Sequence, residues 1–492
     1  MIAAVDDSAA RGKAILADLI RTRGFSGSEG TAADALSVVG KVFAAAKAHG
    51  TDVQAQPVAP GSENVIELLH GAAGRTFVIE AHTDTVDAGE SARWHDADPY
   101  SGAEGFVEYI GGDRVRVEVG SSRYEARIRP RMSKVWEGYR TDRRRRILYG
   151  RGSFDNKGSV VSALLAVGAL AQATSSLGVK LRGSLIAAYT VDEEDGATGV
   201  QRFAAAPDSW LATHGYLSGS VDADGMLTGI AAVTLDGSYG WVPVVGHRGG
   251  VQLAIRTSGR AAHAATPELG VNAVEAMSRI VVALADGQAT IAARLASSLE
   301  TSLLGPVTLA VGTTIAGGGV KSVRMGDTAR VERTNVNAIP DWCEATVDVR
   351  FPQGRRYPAD LDETKALVVD AVKEHVDARV DRDGWTYEVK EISSSWPVAM
   401  APTLDRAAAL PLVDSEIRRA TQILGRAPDL ETAPGGTDAT FMIHGARIPT
   451  MIELGPAGGL SHDVHEFVEL DSVIDGAKIL ALMAIDQLGV EA

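Results

Sequence analysis

The stretch TFVIEAHTDT, residues 76–85, decides how this chain is read. Its first half, Thr76 to Ala81, is a short apolar run of the kind that forms a buried strand, and His82 and Asp84 follow at once. The same order recurs along the chain. Ser184 to Thr190 runs strand-like into Asp192, Glu193, Glu194 and Asp195, and Ile448 to Leu454 precedes the loop that holds His462. In open α/β sheets ligands bind outside the carboxyl ends of the strands, and that is where these polar residues fall. An α/β fold with a site at one sheet edge is the expectation.

Working outward, residues 8–22 and 31–48 carry apolar positions at helical spacing, the second ending at Gly50, and predict two amphipathic helices. Val160 to Ala171 is the most apolar helical stretch; it falls short of the ~20 residues of a membrane span and reads as a buried helix. Between Gly246 and Pro352 the texture changes to strand-like Gly250–Thr257, helix-like Asn272–Ala285, and further strands at Val307–Val311 and Cys343–Phe351. This unit, residues 246–354, looks inserted into a larger domain made of residues 1–245 and 355–492, to which amphipathic helices at 356–374 and 404–424 return the chain. Residues 90–147 mix glycine pairs and alternating charge, and their basic run Arg143–Arg146 reads as a solvated hairpin or loop.

Composition narrows the function. At roughly 150 residues per domain, 492 residues predict about three domain-sized units. With 45% hydrophobic and 23% charged residues, disordered and fibrous classes are excluded. A net charge of −15 repels polyphosphate and argues against a dedicated partner in nucleic acid or anionic membrane, leaving small molecules or peptides. The single cysteine, Cys343, forbids an intrachain disulfide and any multi-cysteine metal site, so a metal here would need His and carboxylate ligands. No export signal is readable at the amino terminus, where two Asp stand in place of a basic stretch, and a cytoplasmic address is expected.

Taken one at a time, the polar residues are ambiguous. His82 and Asp84 form a common pairing; Asp155, in GRGSFDNKG, could simply cap the helix that follows; and Asp192–Asp195 could be a solvated turn. His462, in GLSHDVHEF, competes with His465. Together they say more. Carboxylates crowded at a semi-buried sheet edge repel one another unless a cation neutralises them, and two histidines with several carboxylates suit zinc, manganese or cobalt better than magnesium or calcium. Two such ions activate water and polarise a carbonyl, and a Glu beside a ligand Glu is well placed to move the proton.

In that order these motifs resemble the co-catalytic zinc metallopeptidase family of aminoacylase, acetylornithine deacetylase, succinyl-diaminopimelate desuccinylase and bacterial glutamate carboxypeptidase. The resemblance runs from His82 to Glu466. It implies that His82, Asp155, Glu194 and His462 are metal ligands, with Asp155 bridging two ions, Asp84 orienting the His82 ring and Glu193 acting as general acid/base. For the remaining ligand, SGSVDADG at 218–225 offers Asp222, with Asp224 as alternative, so one ion rather than two stays open. By the same resemblance, GHRGGVQLAIRTSGRAAHAATPELGVNAVEAM at 246–277 is a lid and dimerisation domain, and its His263 reaches the partner's active site to stabilise an oxyanion. Asn337 and Arg350 would hold the substrate's carbonyl or carboxylate, and Gly435, Gly436 and Thr437 a substrate-contacting loop. Stretches 100–147 and 320–334 are longer than the family needs and lie beside active-site motifs; the sequence leaves open whether they reshape the pocket or elaborate the surface.

The architecture implied is a catalytic domain with a central mixed sheet between helices, interrupted by a smaller α+β lid that makes a homodimer. The activity implied is hydrolysis of a C–N bond, the amide of an N-acyl amino acid or short peptide, with release of ammonia from an aromatic amine as the alternative.

Overall fold

A computed structural model describes residues 1–25, 37–71, 74–94, 98–128, 144–222, 224–238, 240–317, 320–325, 328–333, 336–356 and 361–491. Two compact units emerge: a larger one of Met1–Val245, Thr403–Glu431 and Thr437–Ala492, and a smaller one of Gly246–Pro402 and Thr432–Gly436.

The larger unit is built on parallel strands lying side by side in the order Ser184–Thr190, Thr76–His82, Ile230–Leu235 and Thr450–Leu454. Ser62–Leu69 adds antiparallel to the first of these, and Asp52–Ala59 to it in turn, so the sheet is mixed. Side chains alternate along a strand, and both faces are covered. Val78, Ile186 and Ala232 meet Phe203, Trp210 and Met442 on one face, while Phe77 and Ile79 are buried on the other. The helix Gly158–Leu177 is mostly small and apolar because it is buried, packed against Ile2–Arg21 and Leu470–Leu488. By length and composition alone Ser153–Leu177 could cross a membrane; its packing makes it a core helix.

The two amino-terminal helices form as expected. The first spans Ile2–Arg21; the second is Val38–Lys47, begun by the Ser37 hydroxyl accepting from the Gly40 N–H at 2.9 Å. Residues 31–36 of that expectation lie outside the described residues.

The described residues between 100 and 149 contribute to a second sheet. Ala103–Gly111, Arg114–Val119 and Ser122–Arg127 make an antiparallel meander, which continues through Arg144–Tyr149 to Phe467–Glu469 and Gly458–Gly459. Arg144–Arg146 of the basic run thus lie in an antiparallel strand, where Arg144 pairs with Glu118 at 2.8 Å and Arg146 with Asp471 at 3.2 Å. Arg143 lies outside the described residues.

The smaller unit is a four-stranded antiparallel sheet, ordered Thr308–Gly317, Trp342–Phe351, Gly249–Ser258 and Thr386–Ser395, with two helices on one face. It runs on to Pro402, which moves the expected boundary at 354. The helix assigned to the first domain, Leu361–Arg379, sets Val368, Val372 and Val376 into the same core as Ile280 and Leu284 of Ala273–Leu295. An amphipathic pattern announces a buried face without naming what buries it. The stretch 320–334 pairs its backbone as Val320–Met325 with Thr328–Arg333; Thr334 lies outside the described residues.

One core residue defies its surroundings. Glu416, on Pro411–Leu424, is fully buried, and neither carboxylate oxygen has a hydrogen-bond partner among the described residues. Burial pushes its pKa well above the ordinary 4.5, so the folded chain holds it neutral where the unfolded chain ionises it. That contribution to stability is complete below the unfolded pKa and lost as pH rises toward the folded one. Glu416→Gln should therefore melt like wild type near pH 4 and melt higher at pH 8, by roughly 2–6 °C. Equal melting temperatures at pH 8 would refute this account.

Candidate active site

The sheet's carboxyl edge collects the polar residues. His82 ends its strand opposite Thr190, and the neighbouring strand end, Leu235, stands opposite Ala81, which delivers Asp236 beside His82. The His82 Nδ1 lies 3.2 Å from the Asp84 carbonyl oxygen and 3.5 Å from its Oδ1. Asp84 also accepts the backbone N–H groups of Glu193 at 3.2 Å and Glu194 at 3.1 Å. One buried carboxylate thus fixes both the first histidine and the start of the acidic turn.

Asp155 sits in the irregular turn Ser153–Lys157 that opens the core helix. Glu466 holds that turn in place: its carboxylate accepts the N–H groups of Gly152, Phe154 and Asp155, each at 2.9 Å, and pairs with Arg151 at 2.6 Å. Both members of that ion pair are buried, where an unpaired charge would be costly.

From these positions the side chains converge. The His82 Nε2 is 3.2 Å from Asp155 Oδ1 and 3.6 Å from Asp236 Oδ1, while the His462 Nε2 is 3.4 Å from Asp155 Oδ2 and 3.0 Å from Glu194 Oε2. Two groups able to hold a cation result, His82–Asp155–Asp236 and Asp155–Glu194–His462, each with its donor atoms within 4.8 Å of one another. Asp155 belongs to both, through a different oxygen to each. One Glu194 oxygen is buried without a hydrogen-bond partner among the described residues, and all donors are imidazole nitrogen or carboxylate oxygen, which fits divalent ions of the zinc type.

The titration of these groups tells of the same crowding. Burial raises the Glu194 pKa to about 7, with the Asp155 charge pushing it further the same way. Bonds to Asp155 and Glu194 lift His462 to about 10, and bonds to Asp155 and Asp236 raise His82 despite the opposing effect of burial. Burial works to raise Asp155, but the two histidines hold it well below the carboxylate range. Burial also raises Glu193, and the charges of Asp236, Asp438 and Glu194 add to that.

The expected fifth ligand is corrected. Asp222 and Asp224 are exposed, and the Asp222 carboxylate accepts the N–H groups of Asp224 and Met226 at 2.9 Å each, building a turn. Asp236 takes the place in the cluster. Its signal was present in Ile230–Leu235, another apolar strand ending in an acid. Two further acids escaped sequence reasoning. Glu80 and Asp438 are buried within electrostatic reach of His82; the Thr190 hydroxyl donates to Glu80 at 2.6 Å and approaches Asp438 at 3.5 Å, and burial lifts Glu80 to about 7.

The lid candidates lie in the smaller unit. His263, exposed on a short strand beside Ala338–Ile339, accepts the Ala265 N–H on Nδ1 at 3.0 Å, and its Nε2 lies 3.0 Å from the Asn337 amide. Arg350 forks onto Asp348 at 2.7 and 3.0 Å. Gly436 lies in the same unit and Thr437 begins the last segment of the larger one, where its buried hydroxyl donates to the Ile452 carbonyl at 2.9 Å.

Comparison with known proteins shows the family. The sequence profile of Peptidase family M20/M25/M40 matches residues 130–486. The chain belongs to this family. It is a metallohydrolase of C–N bonds, acting on the amides of acylated amino acids or peptides. A relative named succinyl-diaminopimelate desuccinylase 2, from Ruegeria sp. (strain TM1040), is 25% identical over 461 residues, 93% of this chain and 90% of that one. Among solved structures, human carnosine dipeptidase 1 has the same fold at TM-score 0.60 and 14% identity, covering 99% of this chain and 98% of that chain. The YXEP protein of Bacillus subtilis, described as a dinuclear metal binding peptidase from the M20 family, matches at TM-score 0.55 and 13% identity over 98% of this chain and 99% of that chain.

The geometry yields a direct discrimination between acids. In zinc titrations by calorimetry, Asp236→Ala should lose one of the high-affinity equivalents that wild type binds, and Asp222→Ala should keep them all. The reverse pattern would restore Asp222.

Proposed function

We propose that this M20/M25/M40 enzyme hydrolyses the amide of an N-acyl amino acid or short peptide with two divalent ions, zinc by donor chemistry and manganese or cobalt by the same criterion. The observation that carries the reading is Asp155, whose two oxygens face different histidines at 3.2 and 3.4 Å. His82 and Asp236 would hold one ion, Glu194 and His462 the other, and Asp155 both. Bound there, the ions acidify a water and polarise the scissile carbonyl.

The chain's own groups do the rest. Glu193 takes the proton from the attacking water, the new C–O bond replaces the C–N bond, and the same proton passes from Glu193 to the departing nitrogen. A Glu whose pKa is raised by its surroundings suits both halves of that transfer. Asp84 keeps Glu193 and Glu194 in register through their N–H groups. His263 of the partner subunit would stabilise the developing oxyanion, with the two copies joined through the smaller unit. Arg350, oriented by Asp348, and Asn337 would hold the substrate's carboxylate or carbonyl, and Gly436 and Thr437 would contact the substrate. The buried single thiol, Cys343, is compatible with a cytoplasmic setting.

Release of ammonia from an aromatic amine, the alternative kept at the sequence level, is not favoured by the relatives. Incubating metal-loaded enzyme with N-acyl amino acids, dipeptides and aminobenzoates, and scoring free amino acid apart from ammonia, separates the two. Amino acid is expected; ammonia from an aminobenzoate alone would reverse the assignment.

Glu193→Gln should bind both ions and lose about 10²–10⁴ in kcat; wild-type turnover would remove Glu193 from the chemistry. His263→Ala should be inactive as well. Mixing the two inactive variants so that subunits exchange should regain about a quarter of wild-type activity, because half the dimers are mixed and each has one intact site. A mixture that stays inactive would rule out the contribution across subunits.

A further inference from the structure

The loop 460–466 that presents His462 is held in an unusual way. Leu460, His462 and His465, none of them glycine, have φ of 64°, 60° and 68°, in the left-handed region that side chains disfavour. Such a path persists only where surrounding contacts over-determine it. The His462 side chain itself is 55% exposed and makes its ion-pair contacts only with Asp155 and Glu194 among the described residues, so it supplies little of that support.

The support comes from three residues further on. His465 is buried, its Nδ1 is 2.9 Å from the Tyr149 hydroxyl, and Trp94 stands edge-on to both rings, at 5.8 Å from His465 and 5.6 Å from Tyr149. The remaining face of the imidazole is covered by Tyr124, stacked at 3.9 Å between ring centres and 14° between planes. Tyr124 belongs to Ser122–Arg127, the last strand of the meander inserted between the His82 loop and Asp155. Just beyond it, Ile128 lies against the other end of the loop: a methyl group added at Gly459 would meet its side chain at 3.5 Å. Next to His465, Glu466 clamps the turn that carries Asp155. A shift of His465 would therefore be transmitted to two of the three groups in the Asp155–Glu194–His462 set.

We propose that the inserted meander is a positioning element for that metal set, acting through the stack of Tyr124 on His465. The inference deepens the two-ion reading and rests on it. It gives the insertion a role in the site and makes Tyr124 a positioning residue, since it belongs to neither donor set and acts through His465.

The test compares Tyr124→Ala, Tyr124→Leu and Tyr124→Phe with wild type, using zinc competition against a chromogenic chelator, melting of the metal-free proteins, and kcat and KM on the substrate that the panel identifies. Leu keeps apolar bulk without a ring, so it covers the case in which Ala unfolds. Loss of partners that orient a ligand lowers metal affinity by about 10- to 100-fold, and that drop is expected for one ion only in the Ala and Leu variants. Phe, which keeps the ring, should bind both ions as wild type does. The metal-free melting of the Leu and Phe variants should match wild type, and kcat should fall in the Ala and Leu variants with KM little changed. If Tyr124→Ala and Tyr124→Leu bind both ions with wild-type affinity, the inference is overturned while the two-ion reading stands. It is overturned too if Phe is as impaired as Leu, because the stack would then not be the agent. A wild-type chain that takes up no divalent ion overturns the two-ion reading and this inference with it.

Discussion

Negative charge crowded into a small, poorly solvated volume is the constraint around which the larger unit is organised. Asp155, Asp236, Glu193 and Glu194 gather at one sheet edge, with Asp84, Glu80 and Asp438 buried nearby. At ~4 Å two such charges repel by about 4 kcal/mol at an effective dielectric of ~20, a large share of the 5–15 kcal/mol by which domains are commonly stable. Raised carboxyl pKa values at Glu80, Glu193, Glu194 and Asp438 are one way of relieving the repulsion, and a pair of dications at the two donor sets is another. The proposed function uses the second.

A cluster of this kind holds its geometry only if the backbone beneath it is fixed. Three devices do so. Parallel pairing puts the ends of Thr76–His82, Ser184–Thr190 and Ile230–Leu235 side by side, Asp84 ties the acidic turn to the His82 loop, and Glu466 ties the Asp155 turn to the end of the His462 loop. The elements are rigid because they are buried: the core helix behind Asp155 has little surface left for solvent. Ordering the site before substrate arrives is what lets positioned groups act without reorganisation.

What could be read from residues alone follows from this layout. Strand ends are local in sequence, so His82, Asp155, Glu193, Glu194 and His462 were visible as polar residues beside apolar runs, and the structure brings them together. Asp236 obeys the same rule, and it was missed because SGSVDADG offered two acids nearer the glutamates; only the parallel register of Ile230–Leu235 with Thr76–His82 distinguishes a strand end from a turn. The boundary at 354 failed for a related reason, since the partner of Leu361–Arg379 is fixed by tertiary packing. Tyr124 and His465 lie far apart in the chain, and their stack has no sequence signature at all.

Everything proposed for the site depends on Asp155 being shared between two ions. Crystals of the zinc-loaded enzyme, measured above and below the zinc absorption edge, would locate every bound ion without reference to activity. Two anomalous peaks are predicted, one among His82, Asp236 and Asp155 and the other among Glu194, His462 and Asp155, with a different oxygen of Asp155 facing each. A single peak at full zinc loading, or a peak at Asp222 with none beside Asp236, would contradict it.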